Sequence, residues 1–511
     1  LDKATRSKKL AETTTKANKK RKRLEKQAAT RKAKKTTLVD QPLTRDPESG
    51  DGDDPDADLN QPPPPPIKPP AEKVITIRLF PTLEQATTLK SWIGTARFCY
   101  NTALGGVLEE NVSVNKQALR DFVLNNNQFK RFDLMDWLQD VPYDVRRAAV
   151  DELFEAYQSN FAKWKLNPTH TFKMAFRKKK GPGQEGIVIH YPHIRLLPLP
   201  VENPVAHCRT QGQLVIYPGS LGKEPILSAE PIPADALNYD CRITRDRLGH
   251  FYLLVPRPLN PQPLPESLPS VIRNPTPAEP ASRLRIASLD PGVRTFMTIF
   301  DVHGQLALEW GKGDMGLIAR LLHHLDRLQS KRDHMDTRAR QRYRLNRAME
   351  RVRQRVRNLV DDCHHRLAKF LCESYDHILI PVFETSKMSR KATRKIDSET
   401  VRSMLTWSHY RFRTLLTNKA REYPWVKVHM VTEEYTSKTC TGCGHLKNNL
   451  GGAKVYDCSA CQSRWDRDVA GARNIYLKKF EGAGTLSQCL LCPGTIWLGN
   501  HSRPRCRKWT W

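Results

Sequence analysis

Apolar and polar positions alternate in two different ways along this chain, and the change from one to the other predicts its organisation. Residues 73–81, KVITIRLFP, alternate with a period of two and stop at a proline, which predicts a strand. Residues 82–104 follow a helical period, and Thr82 is a suitable cap for the helix. A second helical pattern covers residues 144–164. We therefore expect order to begin near Lys73.

The pattern changes to strands with turn signals between residues 170 and 256. Three stretches carry it, HTFKMAFRKKKG, GQLVIYPG and CRITRDRLGHFYLLVP. Together they predict an antiparallel β unit of the barrel type. The Pro-rich residues 256–280 that follow predict a linker to a further unit.

The C-terminal half alternates apolar strands with helices. Residues 283–313 predict three short strands, of which the first is apolar and ends at Asp290. HILIPVFE ends at Glu384, and VKVHMVTEE ends at Glu433 and Glu434. Strands that are apolar throughout are typical of an α/β sheet covered by helices.

A long helical pattern lies between these strands, with apolar residues every three or four positions from Leu345 to Leu367. Its other faces carry the arginines Arg344, Arg347, Arg351, Arg355 and Arg357. The arginines belong either to a solvated helix face or to a stripe that faces phosphate groups. Because few acids balance them, we favour the stripe.

Composition narrows the class of protein. The 511 residues carry a formal charge of +30, which favours a polyanionic partner, nucleic acid rather than a membrane. No apolar run approaches the roughly 18 residues of a spanning helix, and no signal-peptide pattern opens the chain. Twelve cysteines, several in CxxC pairs, predict metal binding in a reducing compartment. The first residue is Leu rather than Met, so we expect the natural N-terminus to be missing or processed.

The first 72 residues differ in composition from the rest. Residues 1–40 hold fifteen Lys or Arg and four acids, with basic clusters at residues 19–23 and 31–35. They predict a disordered basic tail that is either a bipartite nuclear-localisation signal, a nucleic-acid-binding tail or a merely solvated segment. We favour the nucleus of a eukaryotic host. The acidic residues 41–60 and the run QPPPPPIKPP after them predict a linker.

Acids at the strand ends predict a metal site. The candidates are Asp290, Glu384, Glu433, Glu434, Asp466 and Asp468, and the last two precede a helical pattern. Carboxylates gathered at one sheet rim stay ionised only with a cation among them, and oxygen ligands of this kind select Mg²⁺ or Mn²⁺. Two such ions about 4 Å apart can activate water and stabilise the leaving oxygen of a phosphodiester. The pattern favours a metal-dependent nuclease over ordinary turn and cap residues.

Two groups of cysteines could bind metal. Cys440, Cys443, Cys458 and Cys461 have CxxC-x14-CxxC spacing, which predicts a structural zinc ribbon rather than a redox site. The second group has a CxxC pair, Cys489 and Cys492, followed by His501 and Cys506. It is either a further metal site or a set of ordinary thiols.

Several motifs resemble those of a known family. SLDPGVRTF, YTSKTCTGCG and YDCSACQSRWDRDVAGARNI resemble the RuvC-type nuclease core of the TnpB family, and especially its eukaryotic relatives, called Fanzor. RLFPTLEQ, GTARFCYNTAL and FRKKKG resemble its N-terminal markers, so that the resemblance spans residues 73–480. It implies an RNA-guided DNA endonuclease, related to type V CRISPR effectors. Such an enzyme uses an omega RNA as guide and cuts double-stranded DNA beside a short motif that the protein reads.

The resemblance implies a multidomain α/β architecture. It consists of a RuvC/RNase H-like nuclease domain at 281–435 and 464–480, an inserted zinc ribbon at 436–463, a wedge β-barrel at 73–90 and 169–280, a helical recognition lobe at 91–168, and a C-terminal tail at 481–511. The implied partners are guide RNA and target DNA, with no membrane. The implied metals are Mg²⁺ or Mn²⁺ at the carboxylates and structural Zn²⁺ at the cysteines. Oligomerisation is left open, with a monomer expected.

The resemblance also assigns roles to individual acids. The first catalytic aspartate corresponds to Asp290 and the last to Asp468, with Asp466 as a neighbour. The glutamate is usually found where this chain has Pro381 and Val382, which cannot bind metal.

Eukaryotic relatives place that glutamate on the strand before the ribbon. This position implies Glu433, with Glu384 as the second choice and Glu434 as the third. Ala470 stands where the family usually has Asn. This departure, with those at Pro381 and Val382, motivates the alternative of a protein that binds RNA and DNA but does not cut. A zinc-ribbon transcription factor would leave the carboxylates unexplained. The ribbon lies between Glu433 and Asp468, and we expect it to hold their two segments together.

Overall fold

The structure is a computed structural model, and it describes residues 71–124, 136–179, 185–197, 212–263, 285–302, 304, 306–334, 338–392, 394, 396–447 and 453–480. Every described residue belongs to one compact unit, which begins at Lys68. The basic tail, the linker before residue 71 and the cysteine pair after residue 480 lie outside the described residues. Within the described ranges, no helix has the length and apolarity needed to cross a membrane.

The first sheet is antiparallel and has seven strands. They are β1 (Lys73–Phe80), β2 (Glu185–Ile189), β3 (Ile194–Leu197), β4 (Gly212–Ile216), β5 (Ile226–Ser228), β6 (Cys241–Arg245) and β7 (Phe251–Arg257), in the order β2-β6-β7-β1-β5-β4-β3. Only four residues connect the edge strands β2 and β3, a reach of about 18 Å. In a flat sheet those edges would lie about 29 Å apart. The sheet must therefore curl, although hydrogen bonding between the described strands does not close it into a barrel.

Three helices cover this sheet, α1 (Leu83–Glu109), α2 (Lys116–Leu124) and α3 (Tyr143–Leu166). Thr82 begins α1 as predicted, because its hydroxyl and the Gln85 side chain form reciprocal capping hydrogen bonds. Helices and sheet share one buried core, to which α1 contributes Trp92 and α3 contributes Leu153. The predicted boundary between wedge and lobe, at residue 90, falls inside α1. Residues on both sides of it belong to the same buried core.

One predicted strand is absent. Residues 171–179, within HTFKMAFRKKKG, form no strand, and β2 begins only at Glu185. Thr171, Lys173 and Ala175 are exposed, while the alternating Phe172 and Met174 pack against the core of the first sheet. The alternation that predicted a strand thus comes from a segment that packs its apolar side chains against the core without pairing with another strand.

The second sheet belongs to the α/β part that the sequence predicted, and its strand pairing is mixed. Its strands are β8 (Ile286–Pro291), β9 (Met297–Asp301), β10 (Leu306–Trp310), β11 (His377–Pro381) and β12 (Lys427–Val431), in the order β10-β9-β8-β11-β12. The first three strands in this order pair antiparallel, whereas β8, β11 and β12 are parallel. The carboxyl ends of these three parallel strands therefore meet at one edge of the sheet.

Helices and a small hairpin complete this half. The helices are α4 (Asp314–His334), α5 (Ala339–Ser374), α6 (Thr385–Met388), α7 (Ser398–Trp407), α8 (His409–Ala420) and α9 (Arg467–Phe480). A two-stranded hairpin, β13 (Val455–Asp457) and β14 (Arg464–Asp466), lies just before α9. The core of this half joins α5, α7 and α8 to the second sheet through Leu367, Trp407 and Phe412.

Some of the arginines on α5 make contacts within the fold, and others are exposed without such contacts in the described residues. Arg344, Arg351 and Arg355 are exposed. Arg357 lies 3.6 Å from Glu350, an acid that is only 7% exposed and that also faces Arg247 of the first half at 3.8 Å. Arg347 donates to the backbone oxygen of Arg247 at 3.2 Å. Two of the five arginines thus make contacts within the fold, and the phosphate-facing stripe stays a prediction.

Candidate active site and zinc ribbon

Asp290 lies near the carboxyl end of β8, in the middle of the second sheet, and faces α9. The helix backbone passes so near that a methyl group on Gly471 would lie 2.7 Å from Asp290 Oδ2. The neighbouring Ser288 hydroxyl donates to the backbone oxygen of Ala472 at 2.6 Å and fixes this approach. Burial, followed by the negative charges of Asp468 and Glu433, raises the pKa of Asp290 well above its ordinary value.

Asp466 and Asp468 have different positions. Asp466 ends β14, and its Oδ1 accepts from the backbone N–H groups of Asp468 at 2.9 Å and Val469 at 3.2 Å, as a helix cap does. Helix α9 begins at Arg467, so the expectation that Asp468 precedes the helix is wrong, since it lies in the first turn. Burial, and then the charge of Asp466, raise the pKa of Asp468.

Glu433 and Glu384 also differ. Glu433 lies two residues beyond β12, and burial, followed by the charge of Glu384, raises its pKa to about 7. Glu384 is not on β11 as predicted, because that strand ends at Pro381 and Glu384 precedes α6. Its carboxylate lies 2.6 Å from Lys387 Nζ, with 47% of its side chain exposed. Glu433, and not Glu384, acts on the pKa of Asp290.

The carboxylates fit a divalent cation by their chemistry. Asp290, Glu433 and Asp468 supply hard oxygen donors, and burial, followed by neighbouring acids, raises their pKa values. In the described part of the chain, only four cysteines bring three or more His, Cys, Asp or Glu ligand atoms within 4.8 Å of one another. The three carboxylates are therefore not all within 4.8 Å of one another in this structure.

The four predicted zinc ligands meet at one point. The Sγ atoms of Cys440 and Cys461 are 3.7 Å apart, and those of Cys443 and Cys458 are 3.6 Å apart. Four sulfurs bonded to zinc at about 2.3 Å in a tetrahedron would lie about 3.8 Å apart. The arrangement therefore fits a structural zinc site.

Side chains of α9 fasten the ribbon and the loop after Glu433. Asn474 Nδ2 donates to the backbone oxygens of Thr436 and Thr439, both at 2.8 Å. Arg473 donates to the backbone oxygen of Thr441 at 2.9 Å. Sequence reasoning missed these contacts, although two adjacent polar residues after the apolar run VAGA of α9 were a usable signal.

A second missed feature lies beneath the turn after Asp290. Trp407 Nε1 donates to the backbone oxygen of Val293 at 2.9 Å. The Phe296 ring stacks on His364 at 4.8 Å and on His409 at 5.1 Å. Helices α5, α7 and α8 thus hold the turn that follows Asp290.

Family comparisons match two segments. Residues 409–475 match the family described as "Cas12f1-like, TNB domain", which covers α8 through most of α9. Residues 71–107 match a family of the IS605 type described as a helix-turn-helix domain. In this structure the second segment is a strand and one long helix, β1 and α1, rather than two helices.

Similar proteins come from viruses and a bacterium. A protein named as a transposase in Paramecium bursaria Chlorella virus 1 is 29% identical over 79% of this chain and 85% of its own length. A TnpB-like protein of Acanthamoeba polyphaga mimivirus is 30% identical over 37% of this chain, so that the match spans only 36% of that protein. The CRISPR-associated endodeoxyribonuclease Cas12f1 of Sulfoacidibacillus thermotolerans is 25% identical over 26% of this chain and 30% of its own.

Among solved structures, a Cas12f1 complex with sgRNA and target DNA aligns over 78% of this chain and 83% of that one. Its identity is 15% and its TM-score 0.42, so the likeness is distant. By sequence, this chain is similar to the TnpB-like proteins of the IS605 transposase type.

Proposed function

We propose that this chain is an RNA-guided DNA endonuclease of the Fanzor type. It cuts guide-complementary double-stranded DNA beside a short motif by hydrolysing phosphodiester bonds. The observation that supports the proposal is that Asp468 and Glu433, which come from two other segments, contribute after burial to raising the pKa of Asp290. The similarity to TnpB-like proteins and to an endodeoxyribonuclease supports a nuclease.

The three carboxylates are the proposed ligands of Mg²⁺ or Mn²⁺. When bound, the cation would lower the pKa of a water and neutralise charge on the phosphate. Asp290 supplies a fixed ligand, since α9 and the turn beneath it restrict its position. Asp468 binds from the first turn of α9, and Glu433 binds from the loop after β12.

The four cysteines are the proposed ligands of a structural Zn²⁺, which leaves no open coordination position for catalysis. The ribbon is inserted between Glu433 and Asp468. Its contacts with Asn474 and Arg473 fix both segments against one helix. Its role in the reaction is therefore to keep two of the three acids at the spacing that the cation needs.

Guide RNA and target DNA are the proposed partners, as the charge of +30 favours. The first sheet and helices α1–α3 would serve as wedge and recognition lobe, built on one shared core. We propose that the chain acts as a monomer in the nucleus. The basic clusters that suggest nuclear import lie outside the described residues.

Co-purification tests the guided function. The chain is expressed together with the transcript that flanks its gene, and the retained RNA is sequenced. The proposal expects one discrete RNA with a structured scaffold and a variable end. A smear of unrelated host RNA would mean generic polyanion binding and would remove the guided part of the proposal.

A second candidate is an RNA-guided DNA-binding protein that does not cut. Val382, at the usual glutamate position, is apolar and 42% exposed, and Ala470 is buried and offers no amide to the site. Binding of guide-matched DNA without cleavage at any Mg²⁺ or Mn²⁺ concentration would favour this candidate.

A further inference from the structure

The turn that follows Asp290 carries one exposed arginine at the carboxyl edge of the second sheet. Strands β8 and β9 form a hairpin in which Asp290 lies opposite Thr298, so the turn at residues 292–296 extends beyond Asp290. Arg294 is the middle residue of this turn and the only exposed residue at positions 290–301. Among the residues that the structure describes, its side chain forms no ion pair and no hydrogen bond.

The residues on either side of Arg294 are fixed. A methyl group on Gly292 would lie 2.6 Å from the backbone oxygen of Thr295, so the turn is tight enough to require glycine there. The indole of Trp407 donates to the backbone oxygen of Val293 at 2.9 Å, and Thr295 is only 5% exposed. The guanidinium of Arg294 therefore extends into solvent from a rigid base.

Arg294 lies within electrostatic range of the carboxylate site. Burial, and then the charge of Asp466, raise the pKa of Asp468, whereas the charges of Arg467 and Arg294 lower it. Arg467 lies 3.8 Å from Asp468 and belongs to its immediate surroundings. Arg294 acts on Asp468 without forming an ion pair in the described part of the chain, so its guanidinium stays available to another anion.

Hydrolysis of a phosphodiester increases the negative charge on the phosphate as the reaction proceeds. The oxygen of the attacking water forms a bond to phosphorus and gives up a proton, and the bond to the leaving oxygen breaks as that oxygen gains a proton. Between these events the non-bridging oxygens carry more negative charge than they do in the substrate. A guanidinium can donate two parallel N–H groups to two such oxygens, and it stays protonated throughout.

We propose that Arg294 is a further catalytic residue, which binds the non-bridging oxygens of the scissile phosphate beside the carboxylate site. The inference rests on the proposed nuclease function and adds to it a residue that is not a metal ligand. A solvated surface charge would need no fixed base, whereas a group that stabilises a transition state must be held in position before the reaction. The role predicts an effect on the rate of cleavage and not on the affinity for DNA.

The first test is the single-turnover rate of guide-matched DNA cleavage at saturating DNA. Arg294→Gln should lower this rate by about tenfold to a hundredfold, because one preorganised donor to the phosphate is lost. Its dissociation constant for the same DNA in EDTA should change by less than about threefold, since many other phosphate contacts remain. Arg294→Lys should recover part of the rate, because it keeps the charge without the planar fork.

The matched control for these variants is Arg320→Gln. Arg320 is an exposed arginine of α4, and within the described ranges its side chain forms no ion pair. The control removes the same charge and side chain away from the turn after Asp290. It should therefore cut and bind DNA as wild type does.

The second test is Mn²⁺ binding to the chain without nucleic acid, measured by electron paramagnetic resonance. Removal of a positive charge near the carboxylates should tighten Mn²⁺ binding by about two- to fivefold at low salt. Arg294→Gln should thus bind the ion better while it cuts more slowly. Asp290→Ala should weaken the same binding, which identifies the ion as the one at the carboxylates.

The outcomes separate this role from others. Cleavage by Arg294→Gln at the wild-type rate would overturn the role. Slower cleavage with weaker Mn²⁺ binding would overturn it in favour of structural support for the site, and weaker DNA binding with an unchanged saturated rate would overturn it in favour of DNA binding alone. A wild-type chain that binds Mn²⁺ but cuts no guide-matched DNA would overturn the proposed function, and this role with it.

Discussion

Six acids lie around the carboxyl edge of the second sheet, and their surroundings divide them into two kinds. Asp466 caps α9, Glu384 pairs with Lys387, and the backbone of Glu434 accepts from Lys478. These are contacts that stabilise local structure. Asp290, Glu433 and Asp468 instead have pKa values that burial and neighbouring acids raise, although Arg467 lies 3.8 Å from Asp468. A cation bound among these three carboxylates would offset the free-energy cost of burying their charges. For this reason we propose these three residues as the ligands.

The choice between the two glutamates can be tested by substitution. Glu433→Gln should lower the rate of guide-matched DNA cleavage by about a hundredfold or more, since an amide is a poor ligand for the cation. Glu384→Gln is the matched control and should cost less than about tenfold, because its carboxylate is exposed and paired with Lys387. RNA binding should be unchanged in both variants. The reverse order of cleavage rates would assign Glu384 as the ligand.

The buried histidines predict a dependence of stability on pH. Burial lowers the pKa of His364 from 6.5 to about 4, although its ring hydrogen-bonds to Trp407. The unfolded chain therefore takes up the proton first, and stability should fall as pH drops from about 6.5 towards 4. His364→Gln should reduce that loss, measured by urea denaturation at several pH values. His365→Gln, the exposed neighbour, should not; an equal effect of both variants would contradict the assignment.

At the scale of elements, α9 carries much of the site. Asp468 lies in its first turn, Gly471 passes beside Asp290, and Asn474 fastens the loop after Glu433. We therefore expect this one helix to set the spacing of acids that come from three places in the sequence.

Asn474→Ala tests this role. It removes two hydrogen bonds of a side chain that is 6% exposed and should cost about 1–3 kcal/mol of unfolding free energy. Because the loop after Glu433 is released, cleavage should fall further than stability alone explains, while zinc is retained. Asn358→Ala, an exposed amide on α5, is the control. Full cleavage by a folded Asn474→Ala would mean that α9 does not set the spacing.

The elements show which features can be predicted from residues that are close together in the sequence. The β6–β7 hairpin, α3 and the zinc ligands were predictable, because each depends on residues near one another in sequence. Residues 171–179 have the alternation of apolar and polar residues that is typical of a strand, but a strand also needs a neighbouring strand with which to pair. Trp407 and Val293, and Asn474 and Thr436, meet across long stretches of chain, and no periodicity records such contacts.

At the scale of the whole chain, the described residues form four buried clusters. One belongs to the first sheet, a large and a small one belong to the second sheet, and one belongs to the zinc ribbon. The small cluster of the second sheet joins β11 to α9 through Leu379 and Ile475. Damage to the ribbon should therefore leave the first sheet folded.

Zinc removal tests this independence. Cys458→Ser should lose about one equivalent of zinc per chain and most cleavage, because the ribbon no longer fixes Glu433 against α9. Limited proteolysis should show the seven-stranded sheet still protected. Cys372→Ala, a buried thiol outside the ribbon, should keep its zinc. Retention of zinc by Cys458→Ser would contradict the site, and loss of all protection would contradict separate cores.

The central claim is that Asp290, Glu433 and Asp468 form one metal-dependent nuclease site. The most direct measurement is cleavage of guide-matched double-stranded DNA by the purified RNA complex, with Mg²⁺ or with EDTA, for wild type and Asp290→Ala. We predict cutting only by wild type with Mg²⁺, while Asp290→Ala keeps the RNA and the DNA bound. Equal cutting by Asp290→Ala, or cutting in EDTA, would contradict the claim.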